Sequence, residues 1–351
     1  MQEDDYFKGR GAQIKTGNKF LKAHYVTDHI EGLDEVLLSS PTTQIFQEHP
    51  KKIVNKVTSP DLGIMYSLNP YQGCEHGCIY CYARNTHEYY GFSAGLDFES
   101  KIMVKRNAPS LLEKFLLHPD WHPVPISVSG NTDCYQPQER KFEITRNLLK
   151  VFARYRHPVG MITKNSLILR DLDLLTDLAK DNLVHVYVSI TTLNEDLRRV
   201  MEPRTASAMK RLQTVEALSK AGVPVGIMNA PIIPGLNDTE IPSVLKAAAD
   251  HGALTAGMTM VRLNGSVGDI FEDWLRKNFP DRFDKVWNQI KSMHGGSVND
   301  SQFDRRMRGE GNFADSIHQL FSTSKKKYFA GKSMPSIDLT KFRRGGNLSL
   351  F

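Results

Sequence analysis

Two periods of apolar residues alternate along this chain. From about residue 64, short runs rich in β-branched residues give way to stretches with apolar positions three to four apart. The first kind reads as buried strand and the second as amphipathic helix. The strand runs are IMYSLNPY (64–71), VPISVSG (124–130), VGMIT (159–163), VHVYVSI (184–190), VPVGIMNA (223–230) and TAGMTMVRL (255–263). Helical stretches follow them at Pro109–His118, Glu139–Tyr155, Arg170–Lys180, Ala206–Ala221, Thr239–His251 and Asp269–Asn278. In the longest, Ile144, Leu148, Leu149, Val151, Phe152 and Tyr155 form one stripe. Gly222 and Gly252 stand where helices stop, as left-handed caps require. Six β-α units without hairpin turns predict an α/β fold with a parallel sheet and right-handed crossovers. A doubly wound sheet and a full or partial barrel both satisfy this pattern. Six units fall short of the eight that close a barrel.

Outside the repeat the pattern weakens. Residues 1–60 show little periodicity and read as an N-terminal arm with a short strand or two. Residues 61–280 form the β-α body. Residues 281–351 add a helix (281–293), the Gly-, Ser- and Arg-rich stretch HGGSVNDSQFDRRMRGEGN, a short helix and a basic tail.

Composition narrows the class. With 351 residues, 40% hydrophobic and 24% charged, the chain buries an ordinary core and needs no disulfides. No window holds 18 consecutive apolar residues, which predicts no membrane span. MQEDDYFKGR lacks the apolar core of a secretory signal, so the expected compartment is the cytoplasm. Net charge is +6. From residue 300 onward ten basic residues face five acidic ones. Such a tail can attract a polyanion, and RRMRGEGN can offer arginines and backbone amides to phosphate. A solvated charged surface explains the same composition.

The chemistry concentrates in NPYQGCEHGCIYCYAR (69–84). Of four cysteines, Cys74, Cys78 and Cys81 fall within eight residues, and Cys134 stands apart. Clustered thiols in a reducing compartment read as a soft metal site. A cubane [4Fe–4S] cluster takes four cysteines, so three leave one iron open to an outside ligand. A Cys3His zinc site completed by His76 or His87 is an alternative. A Cys78/Cys81 redox pair is another, but it leaves Cys74 unexplained.

The spacing Cys-x3-Cys-x2-Cys, with Tyr80 before the third cysteine, resembles the signature of radical S-adenosylmethionine (SAM) enzymes. Its place on the loop after the first of six strands agrees. Across residues 65–320, NTDCYQPQE, MITKN, SITTLNEDLRRVMEPRTASAMKRL, NAPIIPGLND and RGEGNFADSIHQLF are similar to the spore photoproduct lyase-related, or DNA repair photolyase-like, branch. The resemblance implies a six-fold β/α partial TIM barrel and one [4Fe–4S] cluster on Cys74, Cys78 and Cys81. It implies that reductive cleavage of SAM yields methionine and a 5′-deoxyadenosyl radical, and that the radical takes hydrogen from a substrate. A one-electron donor, flavodoxin- or ferredoxin-like, is then a partner.

The resemblance also implies roles for strand ends. The turn Gly130, Asn131, Thr132 and Asp133 corresponds to the place where relatives meet the methionine amino group. Lys164 would hold the SAM carboxylate or ribose, Ser189 the ribose hydroxyls, and Arg204 a carboxylate. Ile232, in the segment 231–233, and Tyr80 would pack the adenine. Ordinary caps, salt bridges and core packing are the competing readings for each. Cys134 is the candidate catalytic cysteine, because photoproduct lyases return hydrogen from a cysteine near this strand end. There it precedes the turn, whereas here it follows Asp133. The implied substrate is nucleic acid. A small molecule or protein side chain, or a non-catalytic zinc or iron–sulfur protein that binds nucleic acid, remains open.

Overall fold

A computed structural model describes residues 6–21 and 42–345. Its strands are β1 (Gln44–Gln47), β2 (Val54–Lys56), β3 (Tyr66–Leu68), β4 (Tyr71–Gln72), β5 (Lys101–Val104), β6 (Ile126–Val128), β7 (Val159–Thr163), β8 (Val184–Ser189), β9 (Val225–Ile232) and β10 (Ala256–Met260). Its helices are α1 (Leu96–Ser100), α2 (Ala108–Leu116), α3 (Glu139–Phe142), α4 (Ile144–Arg154), α5 (Leu172–Ala179), α6 (Glu195–Met201), α7 (Ala208–Lys220), α8 (Ile241–Asp250), α9 (Val267–Asn278), α10 (Phe283–Met293) and α11 (Asn312–Tyr328).

The main sheet runs β10-β9-β8-β7-β6-β3-β2. β3, β6, β7, β8, β9 and β10 are parallel, and they are the six predicted strands. Burial alternates along them. Val159, Met161, Val184, Val186, Val188, Val225 and Ile227 are fully or almost fully buried in one core shared with Leu148, Leu149, Phe152, Leu178, Val215 and Leu245 of the helices. Gly160, Ile162, His185, Tyr187 and Met228 point to the other face and are half-buried. All helices between parallel strands therefore cover one face, which curls the sheet into a partial barrel with a concave open face.

Several features lie outside the repeat. β2 pairs antiparallel with β3 at the edge, a hairpin partner not expected from the sequence. β1, β5 and β4 make a second small sheet. The predicted helix Glu139–Tyr155 is two helices, broken at Glu143, whose φ is 49°. The break brings the buried Glu139 carboxylate over the start of α4, where it accepts from the amides of Thr145 and Arg146. Four N-terminal amides of any helix lack partners, and this carboxylate serves two of those of α4. The last helix, α11, spans 17 residues and packs on α8, so it is not short.

The C-terminal tail runs beneath the barrel, along the strand N-termini. The Asp338 amide bonds to Asn182 and that of Arg343 to Tyr155. His185 meets the Pro335 carbonyl at 2.8 Å, and Phe342 packs edge-on against His157. Lys325 donates to the Ala256 carbonyl, Lys332 to that of Ala249, and Arg344 to that of Trp121. Three of the tail's cations thus close the barrel floor, at the end opposite the cysteines. This corrects the picture of a freely presented basic tail. No helix among the described residues is long and apolar enough to cross a membrane.

Candidate iron–sulfur and SAM site

The cysteine loop leaves the C-terminal end of β3, where parallel barrels present their functional loops. Gly77 sits mid-loop at φ 69°, and a Cβ there would come within 2.8 Å of the Glu99 carboxylate. Only glycine lets the loop pass this tightly. Ile79 hydrogen-bonds to the Met201 carbonyl, and Arg84 donates to that of Cys78. Cys74 and Cys78 are buried, and Cys81 is partly exposed.

The N-terminal arm straps this loop in place. The Glu99 carboxylate accepts from the amides of Gly11 and Ala12 at 3.0 and 2.8 Å and from Arg84 at 2.5 Å. Arg10 donates to the Glu99 carbonyl. Gly11 lies so close to Gly77 that an added Cβ would overlap its carbonyl oxygen at 1.8 Å. Residues 9–14 are therefore part of the site and not a loose arm.

Below the loop lies a second buried network. Glu202 accepts from the Tyr80 hydroxyl, from Thr191 Oγ1 at 2.7 Å and from Arg211 at 2.5 Å. Burial raises its pKa, but Arg211 and Lys164 more than offset this and hold it down at about 2. Lys164 stands with its ammonium 5.8 Å from the Tyr80 ring centre. Burial lowers its pKa, yet Cys78 and Glu202 leave it above the ordinary lysine value.

Burial pushes all three cysteine thiols up, Cys78 to about 12. Lys164 pulls against this at Cys78 and Cys81, Arg211 at Cys78, and Arg84 at Cys81. Three thiols amid three cations suit a polynuclear thiolate centre, whose negative charge those cations would balance. A Cys3His zinc site completed by His76 is not supported. His76 is committed elsewhere, with Nδ1 3.3 Å from Asp133 and Nε2 3.2 Å from Asn165.

The structure gathers most of the predicted residues at this end but gives several of them other tasks. Asp133 accepts from Thr163 Oγ1 and the Lys164 amide, pairs with His76, and is held down at about 2, burial opposing and His76 prevailing. Thr132 donates to the Tyr71 carbonyl, and Asn131 donates to Gln72 and Thr86. The Gly130 carbonyl accepts from the Tyr82 hydroxyl. The turn 130–133 thus braces the cysteine loop, and its polar side chains are already paired. Tyr80 is a strut on Glu202. Ser189 is buried, and its carbonyl accepts from Arg211. Arg204 faces the strap, donating to the Gly9 carbonyl and pairing with Glu75 at 3.4 Å, not with Glu202.

Two expectations change more. Ile232 packs in the helix-facing core, while Ile233 joins Cys78, Ile79 and Tyr80. The reason is a ladder slip: Met258 pairs with Asn229 but Met260 with Ile232, so β9 carries one extra residue. A one-residue slip turns a side chain to the other face. Cys134 is fully buried in the main core, and burial raises its thiol well above the ordinary range. The sequence motifs do not single out Arg84, Glu99, Glu202 or Arg211 as site residues. Glu-Pro-Arg followed by an arginine on the next helix was the available signal.

The Radical SAM superfamily matches residues 68–248. An uncharacterised protein of Mycobacterium bovis is 33% identical over 66% of this chain and 69% of its own length. An uncharacterised protein of Methanocaldococcus jannaschii is 29% identical over 70% of this chain and 88% of its own. Among solved structures, a spore photoproduct lyase variant with bound AdoMet and dinucleoside spore photoproduct shares the fold. Its TM-score is 0.60 at 14% identity, covering 82% of this chain and 80% of that one. A cysteine triad at the mouth of a six-stranded partial barrel, set within this match, makes the chain a member of the radical SAM superfamily.

Proposed function

We propose that this protein binds one [4Fe–4S] cluster through Cys74, Cys78 and Cys81 and cleaves SAM reductively, acting on nucleic acid. The observation that carries the reading is the isolated thiol triad, held on a strapped loop and ringed by Lys164, Arg84 and Arg211. When bound, the cluster would supply the electron that converts SAM to methionine and a 5′-deoxyadenosyl radical. The chain's own residues do the rest. Glu202 and Arg211 fix Tyr80 and the floor beneath the loop. Lys164 places a cation at the same end, where a carboxylate of SAM would find it. The strap 9–14 covers the loop from outside and excludes water. An outside one-electron donor, flavodoxin- or ferredoxin-like, completes the requirement.

Nucleic acid is favoured over a small molecule because the exposed Tyr82 lies beside Arg262 and the exposed Phe303 beneath Arg306, the pairing that single strands use. AdoMet and a dinucleoside photoproduct occupy the spore photoproduct lyase of like fold. Photoproduct reversal itself is not proposed, because Cys134 is sealed in the core.

Anaerobic reconstitution with iron and sulfide tests the reading. Bound iron and labile sulfide, and 5′-deoxyadenosine on adding SAM and reductant, are expected of the wild type and not of Cys78→Ala. Stoichiometric zinc with no labile sulfide would overturn it.

A further inference from the structure

The sheet is open between β2 and β10, yet its two margins touch. The segment 297–308 runs beside β10, with Met260 hydrogen-bonded to the Met307 carbonyl and Leu263 to that of Val298. From it Arg306 crosses to the turn between β2 and β3. Its Nε and Nη2 donate to the two carboxylate oxygens of Asp61 at 2.7 and 2.6 Å, and Nη2 also donates to Ser59. One arginine thus clasps the opening of the barrel.

Arg262 stands behind this clasp, just past the C-terminal end of β10. It is half-buried and, among the described residues, makes no hydrogen bond or ion pair. Its titratable neighbours are Arg306, Asp61, Asp300 and the neutral phenol of Tyr82. Asp61 is taken by Arg306, and Asp300 by Arg305. Arg305 also reaches Glu310 at 3.5 Å. So Arg262 has lost much of its hydration, faces a like charge, and has no carboxylate of its own. Burial first, and then Arg306, lower its pKa. An uncompensated half-buried cation costs free energy, and a mobile anion relieves that cost.

The surroundings say which anion. Tyr82, 52% exposed, is the aromatic neighbour of Arg262, and Phe303, 51% exposed, lies 4.5 Å below the Arg306 guanidinium. Arginines interleaved with open aromatic faces hold a phosphate backbone while bases stack. A lone carboxylate ligand would have no use for the rings.

We propose that this clasp is the substrate gate: Arg262 holds a phosphodiester of a single strand, and Arg306 exchanges Asp61 for the neighbouring phosphate. This rests on the nucleic-acid reading above and names the residues that perform it.

The test is fluorescence anisotropy of a labelled single-stranded DNA oligonucleotide titrated with the reconstituted full-length protein over a salt series. Arg262→Gln is expected to weaken binding about three- to tenfold and to flatten the slope of log affinity against log salt by about one. Asp61→Asn is expected to tighten binding, because it frees Arg306. A merely structural clasp predicts no tightening, and that result overturns the exchange. Wild-type binding that Arg262→Gln leaves unchanged overturns the gate while sparing the nucleic-acid reading. No oligonucleotide binding by wild type overturns both. If adenosine monophosphate or inorganic phosphate binds in an Arg262-dependent way and the oligonucleotide does not, the site takes a small phosphorylated molecule and the strand proposal fails. Loss of SAM binding in Arg262→Gln would assign the residue to SAM and overturn the proposal too.

Discussion

The two ends of the barrel use the same cations against different partners. At the cysteine end, Arg84, Arg211 and Lys164 face carboxylates and thiols that carry or can acquire full charges. At the floor, Lys325, Lys332 and Arg344 donate to main-chain carbonyls. One of these, Ala249, lies at the C-terminus of α8, where the helix dipole is negative. Partial charges cannot change with protonation or redox state, so the floor is a fixed seam. The upper networks respond to whatever charge arrives among them. Position along the strand axis, and not basic composition, decides what a lysine or arginine does here.

Breaking the upper side should cost most. Glu99→Ala strands the fully buried Arg84 and leaves the amides of Gly11 and Ala12 without an acceptor. A loss of about 3–5 kcal/mol is expected, the range for an orphaned buried charge. Thermal unfolding measures it, and thiol titration of the metal-free protein should show faster reaction of Cys74 and Cys78. An unshifted melting temperature would refute the strap's role. Tyr80→Phe removes one donor from Glu202 and should cost about 1.5–3 kcal/mol, the range for a hydrogen bond to a charged group. Urea unfolding reads this out, and Glu202→Gln with Tyr80→Phe should be less than additive.

The floor sharpens the comparison through pH. His157 is fully buried, accepts from Trp121 at Nε2, and is held down at about 3 by burial. Its folded pKa lies below the unfolded value of 6.5. Its contribution is therefore complete above pH 6.5 and shrinks as pH falls toward 3, by at most about 1.4 kcal/mol per pH unit. Urea midpoints between pH 7 and pH 4.5 should show a slope that His157→Phe reduces, with the unfolded histidine as its source. The smallest effect belongs to the seam: Lys325→Met should cost about 1 kcal/mol, one neutral-acceptor hydrogen bond. A larger loss, seen in the same unfolding experiment, would mean that the floor is as coupled as the mouth.

What the sequence disclosed follows this division. All six parallel strands were legible, because one face of each packs against helices and so alternates or runs apolar. The cysteine triad was legible because its spacing is local. The second sheet was not: Lys101–Val104 is four residues long and pairs with two short segments, Gln44–Gln47 and Tyr71–Gln72, that both precede the cysteine loop. Ile232 faces the helices because an extra residue in β9 inverts its facing, and no local signal marks such a slip. Glu99 and Arg84 escaped notice because their partners lie far away in the chain, and charge pairing has no period.

The strap has a consequence for timing. Gly11 and Ala12 bond to a carboxylate 88 and 87 residues further along. Closing so long a loop is entropically costly, and contacts of wide separation form late. The segment 9–14 is therefore among the last to find its place. Until it does, the cysteines stand open, so any ligand of theirs meets an accessible loop before the strap covers it.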